Sequence, residues 1–308
     1  MGGPAGRSPP VKQEVGTLIP AAFDYIRARS IDEAFAALQK HGADARVLAG
    51  GQSLVPAMRF RLARPAVLVD INLIRELDYV RMNGSLTLGA TARDIAIERA
   101  TWIGDARWSL FHDVSRVVAD PVVRQRATVV GSLCHNDPAG DWTTVALAAR
   151  AEIVVRGAGG ERTVPIDEFL VDSFTTAAAD GEMALAVRFP LPDERTAGSY
   201  QKIERKVGDY ATAAAAVQVS LDSKGQIRQA GIALSAAGPC ALRVDEAERL
   251  LAGQKPTADT IRAAADAATR RSDPQADLRG SVEYKKHLAG VLVARGLRQA
   301  LARVGVQL

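Results

Sequence analysis

Short apolar runs alternate with stretches of helical periodicity at the start of the chain, and together they predict a small α/β unit. Residues 30–33, Ser-Ile-Asp-Glu, have the form of a capping box, because the serine hydroxyl can accept an N–H of the first turn and the glutamate can reach back to the cap. Apolar residues follow at helical spacing as far as Gly42, which is expected to end the helix. The apolar runs 46–49 and 66–71 predict two buried strands, so residues 18–75 are interpreted as a βαβ-like unit.

Beyond this unit the pattern predicts a second one in which strands and helices are mixed. The polar stretch 127–141 contains glycine and is expected to be a loop. The run Gly-Ala-Gly-Gly at 157–160 indicates the turn of a hairpin. The expected strands are 85–89, 152–156, 161–165 and 182–189, and the expected helices lie near 92–100, 107–118 and 142–150.

A change of pattern near residue 196 marks a third region, in which a run of strands precedes a run of helices. This order is typical of an α+β domain. The predicted strands, a β-meander, are 199–206, 211–221 and 227–236, and the predicted helices lie near 243–251, 257–271 and 282–303. We therefore expect a flexible extension at 1–17, a first domain at 18–195 with subdomains 18–75 and 76–195, and an α+β domain at 196–308.

The last predicted helix carries an apolar stripe with cations opposite to it. The stripe comprises Tyr284, Leu288, Val291, Leu292, Leu297, Leu301 and Val304, and the opposite face comprises Lys285, Lys286, Arg295 and Arg298. A basic amphipathic helix can lie on anionic lipid. Packing of the stripe inside the domain is the favoured interpretation.

Composition narrows the class of protein. Of 308 residues, 47% are apolar and 24% are charged, as in ordinary globular chains with a core. The net charge is only +4 and aromatic residues make up 5%, which argues against a nucleic-acid-binding protein. Residues 1–17 lack the apolar region of a secretion signal, and no apolar run reaches the ~20 residues of a membrane span. Two cysteines, Cys134 and Cys240, are too few for a disulfide framework or a Cys-ligated cluster, so we expect a cytoplasmic protein.

The first candidate for chemistry is the segment 48–54, Leu-Ala-Gly-Gly-Gln-Ser-Leu, which directly follows a predicted strand. Tandem glycines allow successive N–H groups to point into one concavity, as in the backbone nests that hold phosphate oxygens, and Ser53 adds a hydroxyl. A plain tight turn is the alternative. The segment is neither a Walker loop nor a Rossmann fingerprint. Val55 stands where a nucleophile elbow needs its second glycine, so a serine hydrolase is not expected.

The second candidate is the segment 128–132, Thr-Val-Val-Gly-Ser, followed by a polar run at 134–141. Small and hydroxyl-bearing residues again allow close approach of the backbone to a polyanion. His135, Asp137 and Asp141 lie in the polar run, but their spacing fits no helical two-histidine metal site. Asp141 precedes an apolar helix, so an N-cap is its ordinary alternative role.

The third candidate is the segment 200–211, in which Tyr200, Lys202 and Glu204 share one face of a predicted strand. A cationic group beside an aromatic ring would suit an anionic ligand or an electron-rich ring. A solvated, charged edge strand is the alternative.

These segments occur together in a combination that resembles the FAD-binding medium subunit of molybdenum-containing hydroxylases, and in particular the aerobic carbon monoxide dehydrogenase type. The motifs are AGGQSL at 49–54, VADPVVR at 118–124, TVVGSLCHNDPAGDW at 128–142, and Tyr-x-Lys at 200–202 with RKVGDYATA at 205–213. The resemblance runs in order over residues 18–303. It implies an α+β chain, with a p-cresol methylhydroxylase/vanillyl-alcohol oxidase-type FAD-binding domain of two α/β subdomains and a C-terminal α+β domain.

The resemblance also assigns cofactor contacts and implies that FAD is the cofactor. The first FAD segment comprises Ala49, Gly50, Gly51, Gln52, Ser53 and Leu54, whose backbone embraces the pyrophosphate. The second comprises Thr128, Val129, Val130, Gly131 and Ser132, with Asp141 as the acidic partner of the sugar and phosphate region. Val118 and Ala119 match a segment beside the cofactor, and Met183, Lys202 and Tyr210 match positions close to the isoalloxazine. No catalytic acid, base or metal ligand is expected in this chain, because the flavin supplies the redox chemistry.

The chain departs from the family's pattern at Val130, where relatives usually have a glycine before the one that Gly131 matches. A β-branched residue adopts positive φ only at a cost, so we expect Val130 at negative φ. Gly131 is then the residue whose missing Cβ is expected to matter to the cofactor. The run 135–137, His-Asn-Asp, also differs from the shorter side chains common in the carbon monoxide enzymes, which leaves the substrate open.

The resemblance implies a role and partners as well. Substrate would be oxidised at a molybdenum cofactor on a large subunit, and electrons would pass through 2Fe-2S clusters on a small subunit to FAD here and then to an external acceptor. The expected assembly is a dimer of heterotrimers, and peripheral membrane association through the acceptor is left open. Carbon monoxide, an aldehyde and an N-heterocycle all remain as substrates. A stand-alone FAD oxidase and a non-catalytic scaffold subunit are the alternatives from other classes.

Overall fold

The structure is a computed structural model that describes residues 18–308, so the extension expected at 1–17 lies outside the described residues. The strands are β1 Asp24–Arg27, β2 Ala45–Leu48, β3 Val67–Asp70, β4 Val80–Met82, β5 Ser85–Gly89, β6 Glu152–Gly157, β7 Gly160–Pro165, β8 Leu170–Asp172, β9 Thr175–Thr176, β10 Met183–Pro190, β11 Thr196–Ile203, β12 Ala213–Leu221, β13 Ile227–Ser235 and β14 Leu242–Arg243. The helices are α1 Ile31–His41, α2 Leu54–Arg59, α3 Asp94–Glu98, α4 Ser109–Val117, α5 Pro121–Arg124, α6 Val129–His135, α7 Asp141–Ala148, α8 Ile166–Phe169, α9 Asp245–Leu251, α10 Ala258–Arg271 and α11 Val282–Arg303.

The first unit is a parallel three-stranded sheet, in the order β1-β3-β2, with α1 packed on it. The serine half of the predicted capping box is confirmed, since the Ser30 side chain accepts the Glu33 N–H at 3.1 Å. The other half is wrong by one residue, because the Glu33 carboxylate accepts the N–H of Arg29, before the cap, at 2.8 Å. β2 and β3 are parallel and pair Leu48 with Asp70, so both strands end at the same edge of the sheet.

The second unit is built on a five-stranded antiparallel sheet in the order β4-β5-β10-β6-β7. The predicted hairpin is confirmed as β6 and β7. The prediction of a loop over 127–141 is wrong, because α6 occupies its first half. Thr128 caps this helix by accepting the Gly131 N–H at 3.1 Å, and Val129, Val130 and Leu133 bury its apolar face. The small residues that suggested a loop are the first turn of a short, capped helix.

The C-terminal region is a four-stranded antiparallel meander, β11-β12-β13-β14, on which α11 and α9 pack, and α10 packs against these two helices. The predicted burial of the α11 stripe is confirmed for Leu288, Leu292, Leu297 and Leu301. Two predictions for this helix are wrong: Tyr284 is 46% exposed and Lys285 only 5%. The Lys285 ammonium donates to the carbonyl of Gln275 at 2.8 Å and pairs with Asp277, because the segment before the helix folds back over it.

Contacts between α4 and β11 join the C-terminal sheet to the second unit. The Ser109 hydroxyl donates to the carbonyl of Gly198 and accepts its N–H, both at 2.9 Å. The Tyr200 N–H donates to Asp113 at 3.1 Å. Arg303 of α11 binds both oxygens of Asp113, at 2.7 and 2.9 Å. These bonds fix the edge strand β11 against α4, which precedes the second candidate segment in the chain.

Candidate functional site

The first candidate segment is a tight turn between a strand and a helix. It leaves the carboxyl end of β2 and enters α2, and the Val55 N–H donates to the carbonyl of Gly51 at 3.0 Å. Gly51 has a φ of +73°, and a Cβ there would lie 3.1 Å from Cδ1 of Leu48. The first N–H groups of any helix lack intrahelical acceptors, and here they follow a glycine turn at a sheet edge. The segment is therefore a tight turn whose free N–H groups are also suited to bind an anion.

The first segment directly touches the chain that leads into the second. A Cβ on Gly50 would lie 2.4 Å from the carbonyl oxygen of Arg126 and 2.9 Å from Cα of Ala127. No other residue fits at Gly50 without moving one of the two backbones. The absence of a side chain at Gly50 thus brings together two segments that the sequence analysis treated separately.

A polar network that was not predicted from the sequence stabilises the contact between Gly50 and residues 126–127. The amide of Asn72 donates to the carbonyl of Ala49 at 2.9 Å. The Arg93 guanidinium donates to the side-chain oxygen of Asn72 and, at 2.7 Å, to the carbonyl of Arg126. Burial raises the pKa of Asp70, but hydrogen bonds from Tyr25 and Asn72 outweigh burial and hold that pKa below its usual range. The available signal was the pair of polar residues at the carboxyl end of β3, Asp70 in the strand and Asn72 two residues later.

A cleft of about 380 Å³ opens beside the first segment, at the carboxyl ends of β2 and β3. Its walls include the backbone of 49–52, Asn72 and the guanidinium-bearing residues Arg59 and Arg126. In α/β units ligands bind at this edge of a parallel sheet. Two cations beside a glycine turn suit an anionic group.

The second candidate segment contributes mainly backbone. Val129 and Val130 are 1% and 2% exposed, so their side chains belong to the core. Val130 is helical and is not among the residues with positive φ, which confirms the prediction for it. A Cβ on Gly131 would lie 2.6 Å from Oγ1 of Thr128. The missing Cβ of Gly131 therefore makes room for the helix cap. Its importance to the cofactor stays a prediction.

The third candidate segment meets Asp141, the first residue of α7. The Asp141 carboxylate accepts from the Tyr200 hydroxyl at 2.7 Å and from the Lys202 ammonium at 3.1 Å. Lys202 also pairs with Glu204 at 3.2 Å, and its side chain is only 3% exposed. The shared face of Tyr200, Lys202 and Glu204 is confirmed. β11 is an edge strand, but its charges are buried and paired, not solvated.

Asp141 does not act as the N-cap of α7, because Gly140 occupies that position. Its carboxylate instead reaches across to β11. Burial raises the pKa of Asp141, and the ammonium of Lys202 opposes that rise. Burial and the Asp141 carboxylate raise the pKa of Tyr200 well above its usual value, so Tyr200 remains a donor.

The segment at Val118 and Ala119 lies beside this cluster. Lys202 donates to the carbonyl of Val117 at 3.1 Å, and Ala119 has a φ of +47°. Positive φ at alanine is uncommon and marks a locally constrained backbone. A Cβ on Gly208 would lie 3.1 Å from the carbonyl of Ala119, so the loop after β11 rests on this segment.

Tyr210 brings the same loop to the first segment, whereas Met183 lies elsewhere. Tyr210 is 45% exposed, and its hydroxyl is within interaction range of Ser53. Met183 is 2% exposed in β10, opposite Arg156 of β6, whose guanidinium pairs with Asp32 of α1. Met183 is therefore a core residue of the second sheet, and its place beside a ring stays a prediction.

Within residues 18–308 no group of three or more His, Cys, Asp or Glu side chains is arranged to hold a metal ion, and His135 lies 3.8 Å from Asp137. No helix in the same range is long and apolar enough to cross a membrane.

A family model described as the FAD binding domain in molybdopterin dehydrogenase matches residues 21–192. The chain belongs to this family. A second model, the CO dehydrogenase flavoprotein C-terminal domain, matches residues 198–300.

Curated relatives of this FAD-binding chain match it over nearly their full length. The carbon monoxide dehydrogenase medium chain of Hydrogenophaga pseudoflava is 38% identical over 93% of this chain and 99% of its own. The 6-hydroxypseudooxynicotine dehydrogenase complex subunit alpha of Paenarthrobacter nicotinovorans is 34% identical over 92% of this chain and 96% of its own.

Solved structures agree. A carbon monoxide dehydrogenase from Hydrogenophaga pseudoflava superposes with a TM-score of 0.89 at 38% identity, covering 92% of this chain and 99% of the other. Quinoline 2-oxidoreductase from Pseudomonas putida 86 gives 0.86 at 29% identity, covering 94% and 100%. The predicted fold, an FAD-binding domain followed by a C-terminal α+β domain, is confirmed, as is FAD as the cofactor.

The residues of this structure fit FAD. The cleft beside the first segment carries two guanidinium-bearing residues, Arg59 and Arg126, which complement a pyrophosphate. Gly50 and Gly51 leave no side chain between that cleft and the backbone. Asp141 is held in place by Tyr200 and Lys202, and a carboxylate is a group that can accept hydrogen bonds from sugar hydroxyls.

Proposed function

We propose that this chain is the FAD-binding electron-transfer subunit of a molybdenum/iron-sulfur/flavin dehydrogenase of the carbon monoxide dehydrogenase type. The observation that carries the proposal is the convergence of three separate segments on one region. The turn at 49–53 touches 126–127, Asp141 binds Tyr200 and Lys202, and Tyr210 returns to Ser53. When bound, FAD supplies the electron-accepting and electron-donating chemistry.

The chain's own residues bind and orient the cofactor in this proposal. The backbone of Ala49–Leu54 and of the first turn of α6, Thr128–Ser132, holds the pyrophosphate. Asp141 accepts hydrogen bonds from the sugar region, and Lys202 favours the ionised form of that carboxylate and holds it in place. Val118 and Ala119 support the loop that carries Tyr210, which covers the ring. Met183 is a buried residue of the second sheet, and we propose that it lies near the ring.

We place the domain boundary at 195/196, with subdomains 18–75 and 76–195. A hydrophobic core whose buried residues all lie within 213–301 supports the boundary between the two domains, and it unites β12 and β13 with α9, α10 and α11. The other core is shared by both subdomains and extends across the boundary as far as Ala241.

The number of cysteines in this chain supports the assignment of the other cofactors to partner subunits. The sequence contains two cysteines, whereas a 2Fe-2S cluster takes about four cysteine ligands. We therefore assign the clusters to a small subunit and the molybdenum cofactor to a large subunit, in a cytoplasmic dimer of heterotrimers. Any peripheral contact with a membrane is assigned to the electron acceptor.

Relatives support three substrate classes, of which carbon monoxide is the first candidate. Identity is 38% and 37% to carbon monoxide dehydrogenase medium chains, which favours carbon monoxide. It is 34% to a subunit of 6-hydroxypseudooxynicotine dehydrogenase and 32% to the glyceraldehyde dehydrogenase medium chain of Sulfolobus acidocaldarius. An N-heterocycle or an aldehyde is therefore the second candidate.

An absorption spectrum tests the role. The chain purified alone should show flavin bands only, and the chain purified with its native partners should also show 2Fe-2S bands and contain molybdenum. Reduction of the flavin by carbon monoxide in that complex would identify the substrate, and reduction by an aldehyde or N-heterocycle would favour the alternative. A folded but colourless chain in both preparations would contradict the proposal.

A further inference from the structure

Asp94 is an ionisable residue buried without a partner beneath the candidate FAD site. It is the first residue of α3 and is 0% exposed. Neither of its carboxyl oxygens has a hydrogen-bond partner. Its backbone N–H donates to the carbonyl of Ala127 at 3.0 Å, and the preceding residue, Arg93, forms a β-bridge with Thr128. The backbone that carries this carboxyl is therefore bonded directly to the segment that leads into α6.

The groups that face this carboxyl leave it without a counterion of its own. From α7, the indole N–H of Trp142 faces the carboxyl and stabilises its charged form without reaching full hydrogen-bond geometry, and Asp141 brings a like charge. From α5, the Arg124 guanidinium is already bound to Glu98 at 2.8 Å and to the carbonyl of Val118.

Arg93, the residue before Asp94, is also occupied, because its guanidinium donates hydrogen bonds to Asn72 and to the carbonyl of Arg126. Burial raises the pKa of Asp94 to about 7, with a further contribution from Asp141, while Trp142, Arg124 and Arg93 oppose the rise. The carboxyl consequently exchanges its proton in the neutral range.

We propose that Asp94 is a positioning residue whose proton is linked to FAD binding: its neutral form supports the occupied site, and its ionisation weakens the hold on FAD. The inference rests on the proposed placement of FAD against Ala49–Leu54, Thr128–Ser132 and Asp141. A pyrophosphate there adds negative charge close to a buried carboxyl, where charges interact more strongly than in water. FAD binding therefore favours the protonated form, and by linkage protonation favours FAD binding.

The sign of the pH effect follows from this linkage. Below the pKa of the free site, Asp94 is neutral with or without FAD, so its contribution to affinity is constant. As the pH rises through about 7, the free site loses a proton that the occupied site keeps. Affinity then falls, by up to ~tenfold per pH unit for one linked proton.

The test is the dissociation constant of FAD for the full apo-chain, measured by quenching of FAD fluorescence from about pH 5.5 to about pH 9, around the titration range of the group. In the wild type, affinity should fall as the pH rises through neutrality. Asp94→Asn keeps the shape of the side chain and removes its proton equilibrium, so this fall should disappear. The control Asp266→Asn, at an exposed site on α10, should keep the wild-type profile.

Trp142→Phe provides a second test that does not alter Asp94. Loss of the indole N–H removes a group that stabilises the carboxylate, so the fall in affinity should begin at a higher pH. A wild-type profile in Asp94→Asn, or an unmoved profile in Trp142→Phe, would overturn the inference. Failure of the wild type to bind FAD at any pH would instead contradict the proposed function.

Discussion

Gly51 and Lys202 show how single residues control the candidate site, one through its backbone and the other through its charge. At Gly51 the left-handed φ of +73° is essential to the turn into α2. At Lys202 a single ammonium serves two carboxylates, Asp141 and Glu204, so the local charge is net negative. The sequence had suggested a free cation beside an aromatic ring.

Gly51→Asp should abolish FAD binding with little change in the fold. A carboxylate in the turn would repel the pyrophosphate, while aspartate tolerates positive φ better than most residues. The matched control is Gly51→Asn, which has nearly the same shape without the charge and should retain measurable affinity. Flavin content of the purified variants, with circular dichroism as the check on folding, decides the outcome. Near-stoichiometric flavin in Gly51→Asp would show that this turn is not part of the FAD site.

Lys202→Met should destabilise the protein and release FAD. Removing one partner of a buried ion pair typically costs about 3–5 kcal/mol, because the remaining carboxylates are left without compensation. We also expect the potential of any flavin still bound to fall, since a nearby positive charge is lost. Lys206→Met, at an exposed site four residues along the chain, should change neither property. Urea unfolding and spectroelectrochemistry measure the two effects; a wild-type result for Lys202→Met in both would place it outside the site.

At the scale of single elements, α6 differs most from the expectation. Its sequence, Val-Val-Gly-Ser, contains β-branched and small residues of modest helix propensity. Burial of its apolar face and the Thr128 cap make it helical nonetheless. The same turn that presents backbone to the site is therefore held by the core on its other side.

Gly131→Val and Val130→Gly should separate these two roles. Gly131→Val would displace the Thr128 hydroxyl, which costs ~1 kcal/mol for the lost cap and distorts the turn, so FAD affinity should fall at least tenfold. Val130→Gly removes a buried side chain and should lower stability by about 2–4 kcal/mol while affinity changes little. Titration of FAD and thermal unfolding are measured for both variants. Thr128→Ala should reproduce part of the loss of FAD affinity seen in Gly131→Val. Unchanged affinity in Thr128→Ala would show that Gly131→Val does not act through the cap.

At the scale of the whole molecule, the site depends on how the C-terminal domain docks. Asp113 of α4 accepts hydrogen bonds from Arg303 of α11 and from the Tyr200 N–H of β11. Tyr200 and Lys202 reach Asp141 only while this arrangement holds. The C-terminal domain thus completes a site whose other parts lie in the first 150 residues.

Arg303→Ala should loosen this docking. Loss of a charged hydrogen-bonded pair costs about 1.5–3 kcal/mol, so the unfolding midpoint should drop and FAD should dissociate faster. Arg298→Ala, on an exposed face of the same helix, is the control and should behave as wild type. Differential scanning calorimetry and the rate of flavin release test the prediction. Unchanged flavin release in a destabilised Arg303→Ala variant would show that docking does not support the site.

The sequence alone was sufficient for the features that depend on neighbouring residues. Alternating apolar positions located β6, β7 and the strands of the meander, the Ser30 cap located α1, and tandem glycines located the first segment. These features depend on local backbone geometry and burial, which a short stretch of consecutive residues specifies. The joint occurrence of the motifs then indicated the family and its cofactor.

Only the tertiary structure decided what these segments touch. The contact of Gly50 with Arg126, the binding of Asp141 by Tyr200 and Lys202, and the isolation of Asp94 all join residues far apart in the chain. Whether a charged side chain is free, paired or buried depends on which elements pack around it, and no local pattern specifies that packing. For the same reason α6 was mistaken for a loop, since its helical form depends on the core behind it.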